Sequence, residues 1–241
     1  MYTHQEGSSR RDLLKRMAWT GAGLLATTTL PAALRADEAR AGDPLLALAP
    51  TTPREALDAL YRGNARFVDG KITAPNRNME RLKEVAAGQK PFAAFLGCAD
   101  SRVPVEIVFD QGFGDVFVTR IAGNVADAAI IGSLEFGVEV LGAQVLYVLG
   151  HSKCGAVSAT LKGDAVPGQI STLYQHMRRA AKESGGDLDV AIRRNVQIQA
   201  EILSEASPVI ARRIADGTLL IAGGIYDLYT GRVQPVDLSK S

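Results

Sequence analysis

The sequence is poor in cysteine, in net charge and in long apolar runs, and each shortage excludes a class of protein. It has two cysteines in 241 residues, too few for a disulfide framework. The net charge is +1 at pH 7, which gives no bulk electrostatic attraction to nucleic acid, so we expect no nucleic-acid partner. Hydrophobic residues make up 46% of the chain, enough for one globular domain with a buried core.

The amino-terminal segment has the features of an export signal. Residues 9–15 read SRRDLLK, and the paired Arg10 and Arg11 before apolar residues match the twin-arginine signature. The stretch at 17–34 is too weakly hydrophobic for a confident membrane span, although an uncleaved anchor is the alternative. We predict export to the periplasm without a stable membrane anchor. The predicted organisation is a signal peptide at 1–41, a linker at 42–51 and a folded domain at 52–241.

Apolar runs alternate with amphipathic segments throughout the folded domain. Strands are predicted at residues 92–96, 115–121, 144–149, 218–226 and 233–236. Helices are predicted at residues 53–70, 79–87, 127–141, 170–182 and 188–205, with another beginning at 155. This alternation predicts an α/β fold with a mostly parallel central sheet of four strands plus a C-terminal edge strand, flanked by helices. Functional side chains of such sheets gather beyond the carboxyl ends of the strands.

Potential metal ligands follow two of the predicted strands. Cys98 comes after the strand at 92–96, and His151 and Cys154 come after the strand at 144–149. If these strands are neighbours, two thiolates and one imidazole converge, a donor set that suits one Zn²⁺ and leaves its fourth position open. Two other interpretations remain: a disulfide between the cysteines of an exported protein, or two free buried cysteines.

Two motifs give the chain a resemblance to a known family. Residues 98–104 read CADSRVP and residues 150–155 read GHSKCG, and together they resemble the paired signature of β-class carbonic anhydrases. The similarity extends through most of residues 52–240, including GNARF at 63–67 and RIAGN at 120–124. It implies a zinc enzyme that reversibly hydrates CO₂ to bicarbonate and a proton, with zinc on Cys98, His151 and Cys154. It also implies a homodimer or a dimer of dimers.

An acidic residue and an arginine lie close to the first predicted ligand. Asp100 could itself coordinate the metal, and Arg102 can hold that carboxylate away through a bidentate ion pair; the resemblance assigns both to catalysis. Zinc lowers the pKa of bound water to about 7 where its ligands are three histidines. Two thiolates make the ion less electropositive than neutral imidazoles do. We therefore expect hydration activity to be highest on the alkaline side of neutral.

The resemblance also assigns residues to the substrate pocket. Gln89 matches a glutamine that hydrogen-bonds substrate or bicarbonate, Phe117 matches an apolar wall across a subunit interface, and Gly155 allows close backbone approach. The alternatives are a polar loop residue for Gln89 and a core aromatic for Phe117. Phe95 stands where allosteric members carry tryptophan, so we predict membership of the non-allosteric, glutamine-containing branch. Arg120 matches one residue of the inhibitory site of allosteric members.

The remaining features leave alternatives open. Of the three histidines, His176 alone is neither a predicted ligand nor part of the signal, and no proton shuttle is assigned. Phe136 stands where some members carry a tyrosine. The same scaffold hosts hydrolases of carbonyl sulfide and carbon disulfide, which is the alternative enzyme function. A non-catalytic zinc-binding protein is the alternative from a different class.

Overall fold

The computed structural model describes residues 50–239. The predicted signal peptide and most of the predicted linker lie outside the described residues. Within the described part of the chain, none of the helices combines the length and the apolar character needed to cross a bilayer.

The first helix begins where its capping residues predict. Helix α1 is Pro53–Val68, and the Thr52 hydroxyl accepts a hydrogen bond from the N–H of Glu55 while the Glu55 carboxylate accepts one from the N–H of Thr52. This reciprocal pair is a capping box, and Pro53 occupies the first helical position, where its missing N–H costs nothing. The buried side chains of Ala56 and Leu60 place the inner face of α1 in the core.

The other helices flank the sheet, with the following bounds: α2 Met79–Glu84, α3 Val105–Val108, α4 Ala128–Glu135, α5 Gly155–Lys162, α6 Ser171–Glu183, α7 Leu188–Ala206 and α8 Pro208–Ala215. Shorter turns of 3₁₀-helix lie at Val85–Ala87 and Gly168–Ile170, and a π-helical turn, Phe136–Val140, continues α4.

Five strands form one sheet: β1 Ala93–Gly97, β2 Val116–Arg120, β3 Val145–His151, β4 Leu220–Tyr226 and β5 Val233–Val236. Their order is β2-β1-β3-β4-β5. The first four strands are parallel, and β5 pairs antiparallel with β4 at the edge. The predicted fold class is therefore confirmed, including the C-terminal edge strand.

Two helices were not predicted from the sequence. Helix α3 has only four residues, too few for a periodic pattern to stand out. Helix α8 begins at Pro208 after Ser207, whose hydroxyl accepts a hydrogen bond from the N–H of Ile210. A serine cap followed by proline is a recognisable helix start, so the sequence did contain a signal for α8.

The core lies on both faces of the two central strands. On one face the rings of Phe95, Phe109 and Tyr147 have centroids 5.1 to 5.5 Å apart. On the other face Leu96 and Val148 lie in a second apolar cluster. Burial on both faces explains why β1 and β3 are almost entirely apolar. These strands pair from Ala93 with Val145 to Gly97 with Leu149, so their carboxyl ends meet at one edge.

Candidate metal centre

The carboxyl ends of β1 and β3 bring the three predicted ligands together. Cys98 follows the last residue of β1, His151 is the last residue of β3, and Cys154 directly precedes α5. Their potential ligand atoms all lie within 4.8 Å of one another, and the side chains are 4%, 0% and 1% exposed, respectively. Both cysteines are free. The convergence predicted from the two strand ends is therefore observed, and the sulfurs are not bonded to each other.

The backbone between the second and third of these residues makes the turn that the cluster needs. Lys153 adopts a left-handed conformation with φ of 55°, which reverses the chain between His151 and Cys154. The N–H of Ser152 donates to the carbonyl of Tyr226, 2.9 Å away, and so extends the contact between β3 and β4 into the turn. Cys154 is thereby brought back towards His151.

The imidazole is oriented to present one nitrogen to a metal. Nδ1 of His151 donates a hydrogen bond to the carbonyl of Ser152 at 2.9 Å. Nε2 is buried and has no hydrogen-bond partner within the described part of the chain. A ring that donates from Nδ1 carries a free lone pair on Nε2 when it is neutral, as metal-binding histidines do. With two adjacent thiols, this orphaned nitrogen fits a zinc ion better than it fits an ordinary packed interior.

The two sulfurs differ in their affinity for a proton. The Cys154 thiol donates a hydrogen bond to the Cys98 sulfur, and the N–H of Gly123 donates another at 3.3 Å. These bonds lower the pKa of Cys98, although burial acts in the opposite direction. The pKa of Cys154 is raised because its proton is shared with the Cys98 sulfur and because it is buried. The pair therefore shares one proton, and the first proton is lost by the two sulfurs as a unit.

An ion pair borders the cluster. Nε and Nη2 of Arg102 donate to the two carboxylate oxygens of Asp100 at 2.9 and 2.7 Å, and the backbone N–H of Arg102 donates to one of them. These bonds hold the pKa of Asp100 well below its usual range. Oδ2 of Asp100 lies 3.8 Å from Nε2 of His151. The carboxylate is therefore ionised and held by Arg102. It lies close to the Nε2 atom of His151, which has no hydrogen-bond partner among the described residues.

The three residues predicted to contact substrate lie in different places. Gly155 directly follows Cys154, and a Cβ added to it would meet no atom within 4 Å, so its backbone is open to approach. Gln89 is exposed beyond the amino end of β1, at the opposite end of that strand from Cys98. Phe117 lies in the edge strand β2 and pairs with Ala94, also away from the carboxyl edge. Within one chain, the fold does not bring Gln89 or Phe117 to the cluster.

Sequence reasoning missed two buried amide side chains, Asn195 and Gln199, next to the cluster of Cys98, His151 and Cys154. The N–H of Gly123 contacts the Cys98 sulfur, and its carbonyl accepts a hydrogen bond from Asn195 at 2.9 Å. Gln199 donates to Asn195 and accepts from the N–H of Ala126. Both amides lie on the buried side of α7. The available signal was that two amide side chains occupy core positions of an amphipathic helix. Buried polar groups require partners, so these positions indicate a hydrogen-bonded contact with another segment.

This geometry defines a class of protein: a parallel α/β fold with two thiols, one imidazole and an adjacent carboxylate–arginine pair at the carboxyl edge of its sheet. A family model described as "Carbonic anhydrase" matches residues 93–233. The chain is 42% identical over 190 residues to carbonic anhydrase 2 of Mycobacterium tuberculosis, covering 76% of this chain and 92% of that protein. The chain therefore belongs to the β-class carbonic anhydrase family and is an enzyme.

Solved structures agree with this assignment. The β-carbonic anhydrase CcaA superposes with a TM-score of 0.61 at 26% identity, covering 75% of this chain and 95% of that one. A structure described as one of two tetrameric β-carbonic anhydrases from Sordaria macrospora has a TM-score of 0.59 at 25% identity, covering 76% and 95%. The likeness extends over most of the length of each protein, so the shared features are those of a whole catalytic domain.

Proposed function

We propose that this chain catalyses the reversible hydration of CO₂ to bicarbonate and a proton, with one zinc ion held by Cys98, His151 and Cys154. The observation that carries the proposal is the buried cluster of three ligand atoms within 4.8 Å, one of them an orphaned imidazole nitrogen. A set of two thiolates and one imidazole suits zinc and leaves a fourth position for chemistry. When bound, zinc supplies the Lewis acidity that makes water nucleophilic near neutral pH.

Asp100 orients the reacting water in this proposal. Because it is ionised and both of its oxygens are engaged by Arg102, it can accept a hydrogen bond but cannot donate one. A water that donates to Asp100 turns its lone pair away from the carboxylate and towards CO₂. Arg102 also restrains the carboxylate from becoming a fourth ligand, which would block the reaction.

The surroundings of the cluster suit an apolar substrate. Val125, Val157 and Met177 are buried in the same apolar cluster as the two cysteines. An apolar wall excludes bulk water and strengthens the electrostatic interactions of the few polar groups that remain. CO₂ has no net charge and no hydrogen to donate, so such a wall costs it little desolvation.

Assembly is the second part of the proposal. We infer a homodimer or a dimer of dimers, in which Gln89 and Phe117 reach the site of a second copy. We also infer that the chain belongs to the non-allosteric, glutamine-containing branch of the family. Among the described residues, strand β2, which carries Phe117, is an edge strand of the sheet with half-buried side chains, and Phe136, whose ring contacts that of Phe117, is 47% exposed. Such an edge is normally covered. Sedimentation equilibrium tests this, and a monomer at micromolar concentration would contradict it.

Export is the third part. We propose that residues 1–41 direct transport to the periplasm through the twin-arginine pathway, because Arg10 and Arg11 precede an apolar stretch. Full-length protein in which both arginines are replaced by lysine should stay in the cytoplasm, whereas unaltered protein should appear in the periplasmic fraction. Equal periplasmic amounts of the two proteins would contradict this route.

Stopped-flow CO₂ hydration with a pH indicator tests the reaction. Zinc-replete protein should turn over CO₂, with a rate that rises towards alkaline pH because two thiolates reduce the Lewis acidity of the site. No observation favours the carbonyl sulfide or carbon disulfide alternative. These compounds serve as comparison substrates, and their turnover without CO₂ hydration would contradict the proposal, as would inactivity of zinc-loaded protein.

A further inference from the structure

Arg120 contacts the segment that joins the first metal ligand to the acidic residue. It is the last residue of β2 and pairs with Gly97, the residue before Cys98. Nε of Arg120 donates to the backbone carbonyl of Cys98 at 2.9 Å, and Nη2 donates to the backbone carbonyl of Asp100 at 2.5 Å. One guanidinium therefore spans both ends of the three residues from Cys98 to Asp100.

We propose that Arg120 is a positioning residue that holds Asp100 at the correct distance from the metal, an inference that rests on the proposed function. Arg102 cannot do this alone. It is two residues from Asp100 in the same turn, so the ion pair can move as a unit with the turn that carries it. Arg120 belongs to another strand and ties this turn to the sheet. The guanidinium is suited to this because its donors have a fixed, planar arrangement.

The distance that Arg120 controls is short enough to matter. Oδ2 of Asp100 is 3.8 Å from Nε2 of His151, and a carboxylate oxygen is itself an acceptable zinc ligand at about 2.0 to 2.2 Å. A small displacement of the turn would bring the carboxylate into the fourth position or withdraw it from the reacting water. Misplacement of about 1 Å can lower a rate by about 100-fold. Loss of Arg120 should therefore slow the reaction while the three ligands still hold zinc.

The hydrogen bonds of the turn provide a readout that does not depend on activity. The N–H of Arg102 donates to the Asp100 carboxylate, and the N–H of Val103 donates to the Asp100 carbonyl. Both amides are protected through Asp100, so they should exchange with solvent faster when Arg120 is removed. Amides in the middle of β1, such as that of Phe95, should keep their exchange rates.

The test compares Arg120→Ala, Arg120→Lys and a control, Arg178→Ala, which removes an exposed arginine from α6. Zinc content, kcat, KM and amide exchange are measured for each full-length protein. We expect Arg120→Ala to keep one zinc per chain, to lose about 10- to 100-fold in kcat and to change KM less than about twofold. Arg120→Lys keeps a donor for one carbonyl and should be intermediate. Arg178→Ala should match the unaltered enzyme.

A double variant separates positioning from general stabilisation. If Arg120 acts through Asp100, adding Arg120→Ala to Asp100→Ala should lower kcat by less than about twofold further, because the group being positioned is already gone. An additive loss, or an unchanged kcat in zinc-loaded Arg120→Ala, would overturn the inference.

Other outcomes also decide between the two proposals. If Arg120→Ala fails to fold, Arg120→Lys supplies the comparison. An unaltered kcat in Arg120→Lys, together with unaltered exchange of the Arg102 and Val103 amides, would then overturn the inference. If the unaltered, zinc-loaded enzyme does not hydrate CO₂, the proposed function fails. The cobalt-substituted protein then tests the position of Asp100, because a carboxylate that enters the metal's coordination changes the visible absorption spectrum, and identical spectra with and without Arg120 would overturn the inference.

Discussion

Two regions in which the described chain buries ionisable groups treat those groups differently. Asp110, next to α3, is fully buried, and its carboxylate accepts hydrogen bonds from Arg66, from the N–H and hydroxyl of Thr73 and from the N–H of Ala74. His151 at the carboxyl edge of the sheet is equally buried, yet its Nε2 has no partner within residues 50–239. The first region is complete by itself, whereas the second is completed only by a ligand.

The difference has an energetic meaning. A buried polar group without a partner costs about 1 to 3 kcal/mol, so a fold that keeps one needs a compensating interaction. The hydrogen-bond donors around Asp110 remove that cost, and this cluster therefore stabilises the loop at 70–77. Around His151 the proposed zinc ion would offset the same cost. The carboxylate of Asp110 thus belongs to the stable part of the fold, whereas the unpartnered Nε2 of His151 lies in the candidate metal centre.

The largest expected effect comes from removing a metal ligand. Cys98→Ser and His151→Ala should each lose zinc and lower kcat by at least about a thousandfold, equivalent to roughly 4 kcal/mol. Metal content by mass spectrometry and stopped-flow hydration measure the two losses. The control is His176→Ala, which removes a histidine outside the cluster and should retain one zinc per chain. One zinc per chain in Cys98→Ser would show that the ligand assignment is wrong.

The next effect separates metal binding from catalysis within the same region. Asp100→Asn preserves shape but lacks the charge that Arg102 holds, so it should keep zinc and lower kcat by about 100-fold or more. Zinc content and stopped-flow rates on one preparation make the comparison. If Asp100→Asn stayed fully active, or if it lost its zinc, Asp100 would not be an orienting group distinct from the metal ligands.

A smaller effect is expected in the satisfied region, and on stability instead of chemistry. Asp110→Asn should lower the free energy of unfolding by about 3 kcal/mol, because it leaves Arg66 without its buried partner. Asparagine tolerates the left-handed φ of 47° at this position, so the change tests charge and not backbone strain. Denaturant unfolding measures the loss. Loss of zinc from the folded variant would contradict the independence of the two regions.

The smallest effect is the acid dependence of that stability. Burial raises the pKa of Asp110, but hydrogen bonds from Thr73, Arg66 and Ala74 more than offset it, and the pKa is lowered. A carboxylate whose folded pKa is below its unfolded value of about 3.9 contributes stability above that pH and loses it as the pH falls through the folded pKa. Between about pH 5 and pH 3, the free energy of unfolding of the metal-free protein, measured with denaturant, should therefore decrease less steeply in Asp110→Asn than in the unaltered protein. If the free energy of unfolding depended on pH in the same way in both proteins, Asp110 would not contribute to the acid dependence of stability.

Several parts of the centre follow from local patterns. Apolar runs ending in Cys98 and in His151 predict parallel strands, and parallel strands of one sheet place their carboxyl ends together whatever the connections between them. The Asp100–Arg102 pair spans only two residues. Both features depend on short stretches of chain. The motifs at 98–104 and 150–155 therefore predicted the convergence on the condition that β1 and β3 are neighbours, which the pairing of these strands satisfies.

Other parts depended on pairings between distant segments. Arg120 meets the carbonyls of Cys98 and Asp100 only because β2 pairs with β1 in one register, and Asn195 meets Gly123 only because α7 packs over that loop. A sequence pattern contains residue types and spacings but not register, so it could name these residues without assigning their contacts.

The amino-acid sequence by itself determined the strand and helix alternation, the three ligand types and the acidic residue beside them, because each is local in the chain. The tertiary structure alone decided which N–H contacts the Cys98 sulfur and which arginine contacts the backbone carbonyls of Cys98 and Asp100. The physical reason is that hydrogen bonds form over about 3 Å, and only the packed sheet and helices bring residues from distant parts of the chain that close.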